Sequence, residues 1–205
     1  GKSTLFNKLT GSDVLTEDKL FATLDTTIRR TEIAPDLFVL VSDTVGFIRN
    51  LPHHLIDSFK STLEETRFAD IILNVCDISN PQVFEHNKVT HNQLSELKIT
   101  EKVIDVYNKS DLVENNKIEA PGAVAVSALT GQGLQELKDM IVKEIKSKYS
   151  FLTVILPYAE MNNLEKLLNY SFDTAIQYEE KGVSIAGYFA NKHLKEWSKF
   201  IQNSH

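Results

Sequence analysis

The chain opens on Gly1-Lys2-Ser3-Thr4-Leu5-Phe6-Asn7-Lys8-Leu9-Thr10-Gly11, and the fold turns on how this stretch is read. Gly-Lys-Ser followed by an apolar, helix-forming run (Leu5, Phe6, Leu9), with Gly11 as a stop, reads as the second half of a phosphate-binding loop, G-x-x-x-x-G-K-[ST], passing into a helix. In such a loop Lys2 sets a fixed positive charge against the β- and γ-phosphates of a nucleotide. The backbone N–H groups around Gly1 and at the start of the Thr4 helix add partial positive charge. Ser3 offers a hydroxyl to Mg²⁺, a hard cation that prefers oxygen and keeps several waters.

Outward from Gly11, short apolar runs alternate with longer helical patterns as far as Tyr149, the signature of an α/β domain with a mostly parallel sheet and helices on both faces. Strands are expected at 31–33, 38–42, 71–76, 102–108 and 123–127, and helices at 4–9, 55–68, 82–97 and 134–148. The runs IILNVC and VIDVY hardly alternate, as strands covered on both faces do. Past Ser150 the pattern changes to a strand FLTVILP, a helix EMNNLEKLLNY, the alternating pair DTAIQYEE and VSIAGYF, and a last helix NKHLKEWSKFIQ. The organisation is therefore a domain over 1–148 and a small α+β domain over 151–205, the latter close to the lower size limit for independent folding. Trp197 and Phe200 are its expected core anchors, with Lys192, His193, Lys195 and Lys199 as a solvated basic side.

Composition bounds the function. The chain has 205 residues, is 42% hydrophobic and carries a net charge of −6, which argues against a general nucleic-acid coat, DNA included, while a local basic face could still meet RNA. No run approaches the ~18 apolar residues of a membrane span. Cys76 is the single cysteine, so no disulfide forms within the chain, and its apolar setting marks a structural thiol. His53-His54 diverge by ~100° on a helix and have no third ligand at metal spacing, so a helix entry after Pro52 is the reading.

Three further motifs follow in order: Asp43-Thr44-Val45-Gly46, Asn108-Lys109-Ser110-Asp111 and Ser127-Ala128-Leu129. Asp43, ending an apolar strand, is placed to hold Mg²⁺ from its second face, and Gly46 lets a backbone N–H approach the γ-phosphate. An ionised Asp111 accepts two hydrogen bonds, which suits the N1–H and exocyclic amine of guanine; adenine offers no such pair. Sites of this kind reject analogues by roughly 10⁴-fold or more, so the nucleotide is GTP or GDP, not ATP. Ser127-Ala128 adds a backbone N–H toward guanine O6, and Lys109 lies against the base or braces the phosphate loop.

The surrounding text resembles one group of translation-factor-like GTPases. FATLDTTIRR, then DTVGFIRNLPHHLIDSFKSTLEETRFAD, looks like the switch regions of the HflX family, ribosome-associated GTPases of bacteria with relatives in mitochondria. Thr26 stands where the family commonly has proline. The resemblance implies a small-GTPase-like P-loop fold, a strand and loop upstream of Gly1 that this sequence lacks, and a ribosome-facing N-terminal domain. Without that central strand this chain is expected to fold poorly and bind GTP weakly. The resemblance also implies that Thr23 is the switch threonine on Mg²⁺, with Thr26 and Thr27 as rivals, and that the catalytic set is Lys2, Thr23 and Gly46. Phe47 occupies the position where Ras-like enzymes orient water with glutamine, so hydrolysis should be slow until a partner acts. By resemblance that partner is the large ribosomal subunit, its rRNA and protein, in dissociation or rescue of ribosomes, in bacterial cytoplasm or mitochondrial matrix rather than outside the cell. A GTP-dependent binding module without turnover, or an inactive remnant, are the alternatives.

Overall fold

The computed structural model describes residues 1–12, 27–43, 66–113 and 122–202. Its first helix, α1 (Lys2–Thr10), buries Leu5, Phe6 and Leu9 on one face and ends at Gly11, whose φ of 65° and N–H to the Asn7 carbonyl make a left-handed cap. Strands β1 (Thr27–Ala34) and β2 (Leu37–Asp43) form a two-stranded sheet. Between them the chain turns through Pro35 and Asp36, the latter at φ 59° with its N–H on Glu32 Oε1 at 3.0 Å.

Three parallel strands follow, in the order β3 (Ile71–Asp77), β4 (Lys102–Asn108), β5 (Ala123–Ala125). Helix α2 (Val83–Glu96) supplies the β3-to-β4 crossover that a parallel pair requires. The sheet expected from sequence is thus divided among the described residues: a parallel trio, and the β1–β2 pair apart from it. A two-residue turn sends a strand straight back beside its predecessor, which no parallel connection can do.

Strand β4 is the core of this region, with Ile104, Val106 and Tyr107 buried. The reading of IILNVC as equally covered is corrected: only Asn74 of β3 is buried, and its neighbours are half-buried, since β3 pairs with β4 alone among the described residues. Strand β5 stops two residues earlier than expected. The Val126 N–H still makes the last ladder bond, to the Tyr107 carbonyl, and the chain then leaves the strand as the Ser127 N–H turns to the Gln132 carbonyl.

Compact units are Gly1–Thr31 with Val39–Ile141, and Glu32–Phe38 with Val142–His205. The boundary falls inside α3 (Leu134–Ser147). In the second unit β6 (Tyr149–Pro157), α4 (Leu164–Asn169), β7 (Ser171–Glu179), β8 (Gly182–Ala190), α5 (Leu194–Trp197) and β9 (Ile201–Gln202) run β-α-β-β-α-β, with strand order β7-β8-β6-β9. That is the split βαβ, or ferredoxin-like, arrangement. Val154, Leu156, Leu167, Val183, Ile185, Phe189 and Trp197 form its core.

Two sequence expectations change here. The stretch NKHLKEWSKFIQ is not one helix: it is a 3-10 turn, the single turn α5, a second 3-10 turn and β9, whose Ile201 pairs with Val154. The segment read as the helix EMNNLEKLLNY is likewise a 3-10 turn over Tyr158–Asn163 before α4. Helical spacing placed Trp197 inward correctly, but Ile201 gains a β6 ladder partner that a continuous helix would deny it.

Candidate nucleotide-binding site

Four chain segments meet at the C-terminal ends of the parallel strands, where α/β sheets place their ligands. Strands β3 and β4 run in register, so Asp77 and Asn108 stand abreast at their last positions. Helix α1 begins at Lys2 with Gly1 as its N-cap, no side-chain cap hydrogen bond and no acidic residue in its first turn, so its positive dipole end carries Lys2 and Ser3. Ser3 donates its hydroxyl to Asp43 Oδ2 at 2.7 Å, forty residues away in sequence. Asp43 is buried at the last position of β2.

Asn108 ties the segments together. Its Nδ2 donates to the Gly1 carbonyl at 3.3 Å, and its Oδ1 accepts from the Lys109 N–H at 2.8 Å and the Ala128 N–H at 2.9 Å. With only 3% of its surface exposed, Asn108 acts here as a brace between the α1 start and the turn after β5. The Ala128 N–H, expected from sequence to face a base, is committed to that brace. A Cβ on Gly1 would lie 2.7 Å from Asn108 Nδ2, so the approach admits only glycine unless Asn108 moves.

Lys109 adopts a left-handed conformation, φ 66°, an uncommon one for a residue with a side chain. Its Nζ pairs with Asp77 Oδ2 at 2.7 Å. Burial pushes the Asp77 carboxyl up, but hydrogen bonds from Lys109 and Ser79 outweigh it and hold the group below its ordinary value. Asp111 is exposed on the 3-10 turn Ser110–Leu112, which is fastened to the strand side by the Ser110 N–H on the Val126 carbonyl at 3.0 Å. Ser127 is fully buried and its hydroxyl accepts the Thr130 N–H at 3.1 Å; Leu129 is exposed.

Sequence reasoning passed over two supports of this site. Asp77 ends an apolar strand as Asp43 does, and that repetition was the available signal. Gly133 was the other: at φ +72° a Cβ there would lie 2.1 Å from the Ala125 carbonyl oxygen, so only glycine closes the Ser127–Gln132 loop under α3. Gly46, Thr23, Thr26, Phe47 and His53-His54 lie outside the described residues, and Thr27 begins β1. No group of three or more His, Cys, Asp or Glu side chains arranged for a metal occurs among the described residues. No helix there is long and apolar enough to cross a membrane.

Comparison with known proteins fits this geometry. Residues 1–109 match the family model described as the 50S ribosome-binding GTPase. This chain belongs to that family. Within the family it is of HflX type, as the switch-region text suggested. It is 42% identical over 193 residues to the GTPase HflX of Lacrimispora saccharolytica, covering 92% of this chain and 46% of the relative. The GTPase HflX of Chlamydia pneumoniae is 38% identical over 208 residues, 98% of this chain and 44% of that protein. The chain therefore spans about half the length of the curated relatives it matches. Among solved structures, a variant of Aquifex aeolicus Era bound to GDP and AlF4⁻ superposes with a TM-score of 0.55 at 27% identity, over 70% of this chain and 52% of that one. Era in complex with MgGDPNP and a segment of 16S ribosomal RNA gives the same values. The P-loop fold of this chain is thus shared with Era.

Proposed function

We propose that this chain binds GTP with Mg²⁺, hydrolyses it to GDP and phosphate slowly on its own, and couples its nucleotide state to engagement of the large ribosomal subunit. The observation that carries the reading is the single cluster in which Ser3 meets Asp43 while Asn108 joins Gly1 to Ala128. That cluster supports reading the Gly1–Ser3 side as the phosphate end and the Asn108–Ala128 side as the base end of one nucleotide site.

In this reading Gly1, Lys2, Thr4 and Gly46 surround the phosphates. Ser3, Asp43 and Thr23 hold Mg²⁺. The hydroxyl of Ser3 and the carboxylate of Asp43 at 2.7 Å form an all-oxygen pair of the kind a hard cation prefers. When bound, Mg²⁺ neutralises charge on the β- and γ-phosphates. Asp111 reads guanine, Lys109 covers the base once it leaves Asp77, and the turn Ser127-Ala128-Leu129 closes the far side. Asn108 keeps both ends in register. Residues 1–148 form the nucleotide module and 151–205 a separate small unit.

The names of the relatives support GTP hydrolysis, and the family description supports the large subunit as partner. Separation of ribosomal subunits is the role we assign to that engagement. Phe47 keeps a second reading open, a switch in which turnover is incidental.

Single-turnover phosphate release, with and without 50S subunits, tests the proposal. We expect slow release alone, acceleration by 50S, and loss of both in Ser3→Ala. A Ser3→Ala variant with unchanged release would remove the site assignment. Release unaffected by 50S would leave only the switch.

A further inference from the structure

We infer that the outward sheet face of the C-terminal unit, with Phe151 and Tyr188 on its two central strands and Lys146 beside them, stacks the bases of single-stranded RNA. The inference does not rest on the nucleotide reading, because it uses residues of the second unit alone. Strands β6 and β8 are central in the order β7-β8-β6-β9, and they separate their side chains by chemistry. Val154 and Leu156 of β6 and Val183, Ile185 and Phe189 of β8 go into the core. On the opposite alternation stand Phe151 and Tyr188, directly paired in the ladder.

Phe151 is 60% exposed, which is unusual for a phenylalanine at a central strand position. Its ring is not loose: it meets Tyr188 edge-on at 5.2 Å, and Tyr188 in turn stacks on Phe172 at 5.1 Å with the rings 7° from parallel. A ring held upright by its neighbours and open to water presents a π-face at little entropic cost. Lys146 Nζ lies 4.4 Å from the Tyr188 centroid, a cation within reach of a phosphate that follows a stacked base. Further along the same face Gln177 and Ser184 pair across β7 and β8 and offer an amide and a hydroxyl to base edges.

Four-stranded sheets of this topology that bind RNA do so through aromatics on the open face, which stack two or three bases. Stacking is sequence-tolerant because every base has a π-face. Charge does not oppose the same partner. From Val142 onward the chain has eight lysines against seven carboxylates, while the protein as a whole carries net −6. With Glu32 and Asp36, which belong to the same unit, the balance is eight against nine, so a polyanion meets a nearly neutral second unit.

The test is anisotropy of a 5′-labelled octa-uridine RNA titrated with the full 205-residue chain, without nucleotide, at low and moderate salt. Saturable binding is expected, weakened about tenfold or more in Phe151→Ala, given stacking of ~1–3 kcal/mol per base. Phe151→Trp should keep or improve binding, which separates stacking from folding. Lys146→Gln should flatten the slope of log affinity against log salt by about 0.7. An RNA duplex of the same length should compete poorly.

No saturable binding by the wild-type chain overturns the inference, as does a Phe151→Ala variant that binds like wild type. Equal competition by the duplex would also overturn it, by reducing the contact to charge. So would a wild-type chain that sediments as a dimer while Phe151→Ala is monomeric and RNA affects neither, since the face would then belong to a second copy.

Discussion

Asn108 and Asp111 belong to one four-residue motif, yet the structure gives them opposite kinds of work, and that difference can be measured. Replacing Asn108 by alanine removes the acceptor for two backbone amides and the donor to the Gly1 carbonyl. Ala128 is 2% exposed, so its N–H finds no water in exchange, and stranding a buried donor costs ~1–3 kcal/mol. The Lys109 N–H is less enclosed and adds about 1 kcal/mol, while Gly1 is exposed and its carbonyl recovers a water partner. The loss of ~2–4 kcal/mol is a large share of the ~5–15 kcal/mol that stabilises a domain. Asp111→Ala should shift stability by less than ~0.5 kcal/mol, since that side chain stands on the surface of its turn. Both variants should lose guanine nucleotide affinity. Urea melts by far-UV circular dichroism, with hydrogen exchange at the Ala128 amide, provide the assay. Trp197, the single tryptophan, sits in the C-terminal core and reports that unit separately. An Asn108→Ala chain that melts like wild type and still protects the Ala128 amide would refute the brace.

Three further outcomes follow from particular contacts. Gly133→Ala should open the Ser127–Gln132 loop, because the new methyl meets the Ala125 carbonyl oxygen at 2.1 Å and the left-handed backbone costs another ~1–2 kcal/mol; nucleotide affinity should fall with stability, and retention of both would contradict the packing. Asp77 has a folded pKa below its ordinary 3.8, so its ion pair with Lys109 contributes fully above that value and fades as pH falls through the lower folded one. Melts of wild type and Asp77→Asn should then differ by less than ~1 kcal/mol at pH 7, as for an exposed pair, and the gap should close as pH falls below the ordinary carboxylate value; a gap that widens on acidification would reverse the sign. Burial, then the charge of Asp105, pushes the Cys76 thiol up to about 11, against a hydrogen bond to Asn74. At pH 8 only ~0.1% is thiolate, so alkylation should run about a hundredfold slower than for an ordinary free cysteine; labelling at the free rate would place Cys76 outside.

Much of the site was legible because its residue types are demanded by chemistry. Gly-Lys-Ser at a helix start and an aspartate at a strand end are few-solution problems, and the structure brings Ser3 and Asp43 within 2.7 Å. The supports were harder to read, since Asp77 and Gly133 act through the backbone geometry of neighbours far away in sequence. Asn108 was legible as a member of the site but not as its brace, because hydrogen-bond partners twenty and more than a hundred residues away leave no local pattern. In the second unit, alternation found β6, β7 and β8, while β9 was hidden: two residues at the end of an amphipathic stretch carry no period, and only the edge of β6 makes Ile201 a strand. The mostly parallel sheet was legible in the alternation of strands and helices, whereas the β1–β2 pairing across the two-residue turn at Pro35–Asp36 was not.

The most direct measurement is a titration of this chain with fluorescent GDP in the presence of Mg²⁺, competed by unlabelled GTP, GDP and ATP, beside Asp111→Asn. Displacement by guanine nucleotides alone, with Asp111→Asn losing GDP and accepting xanthosine diphosphate, whose base carries a carbonyl in place of the exocyclic amine, is the expected result. Equal displacement by ATP, or an Asp111→Asn variant that still prefers guanine, would contradict the guanine site built around Asn108 and Asp111.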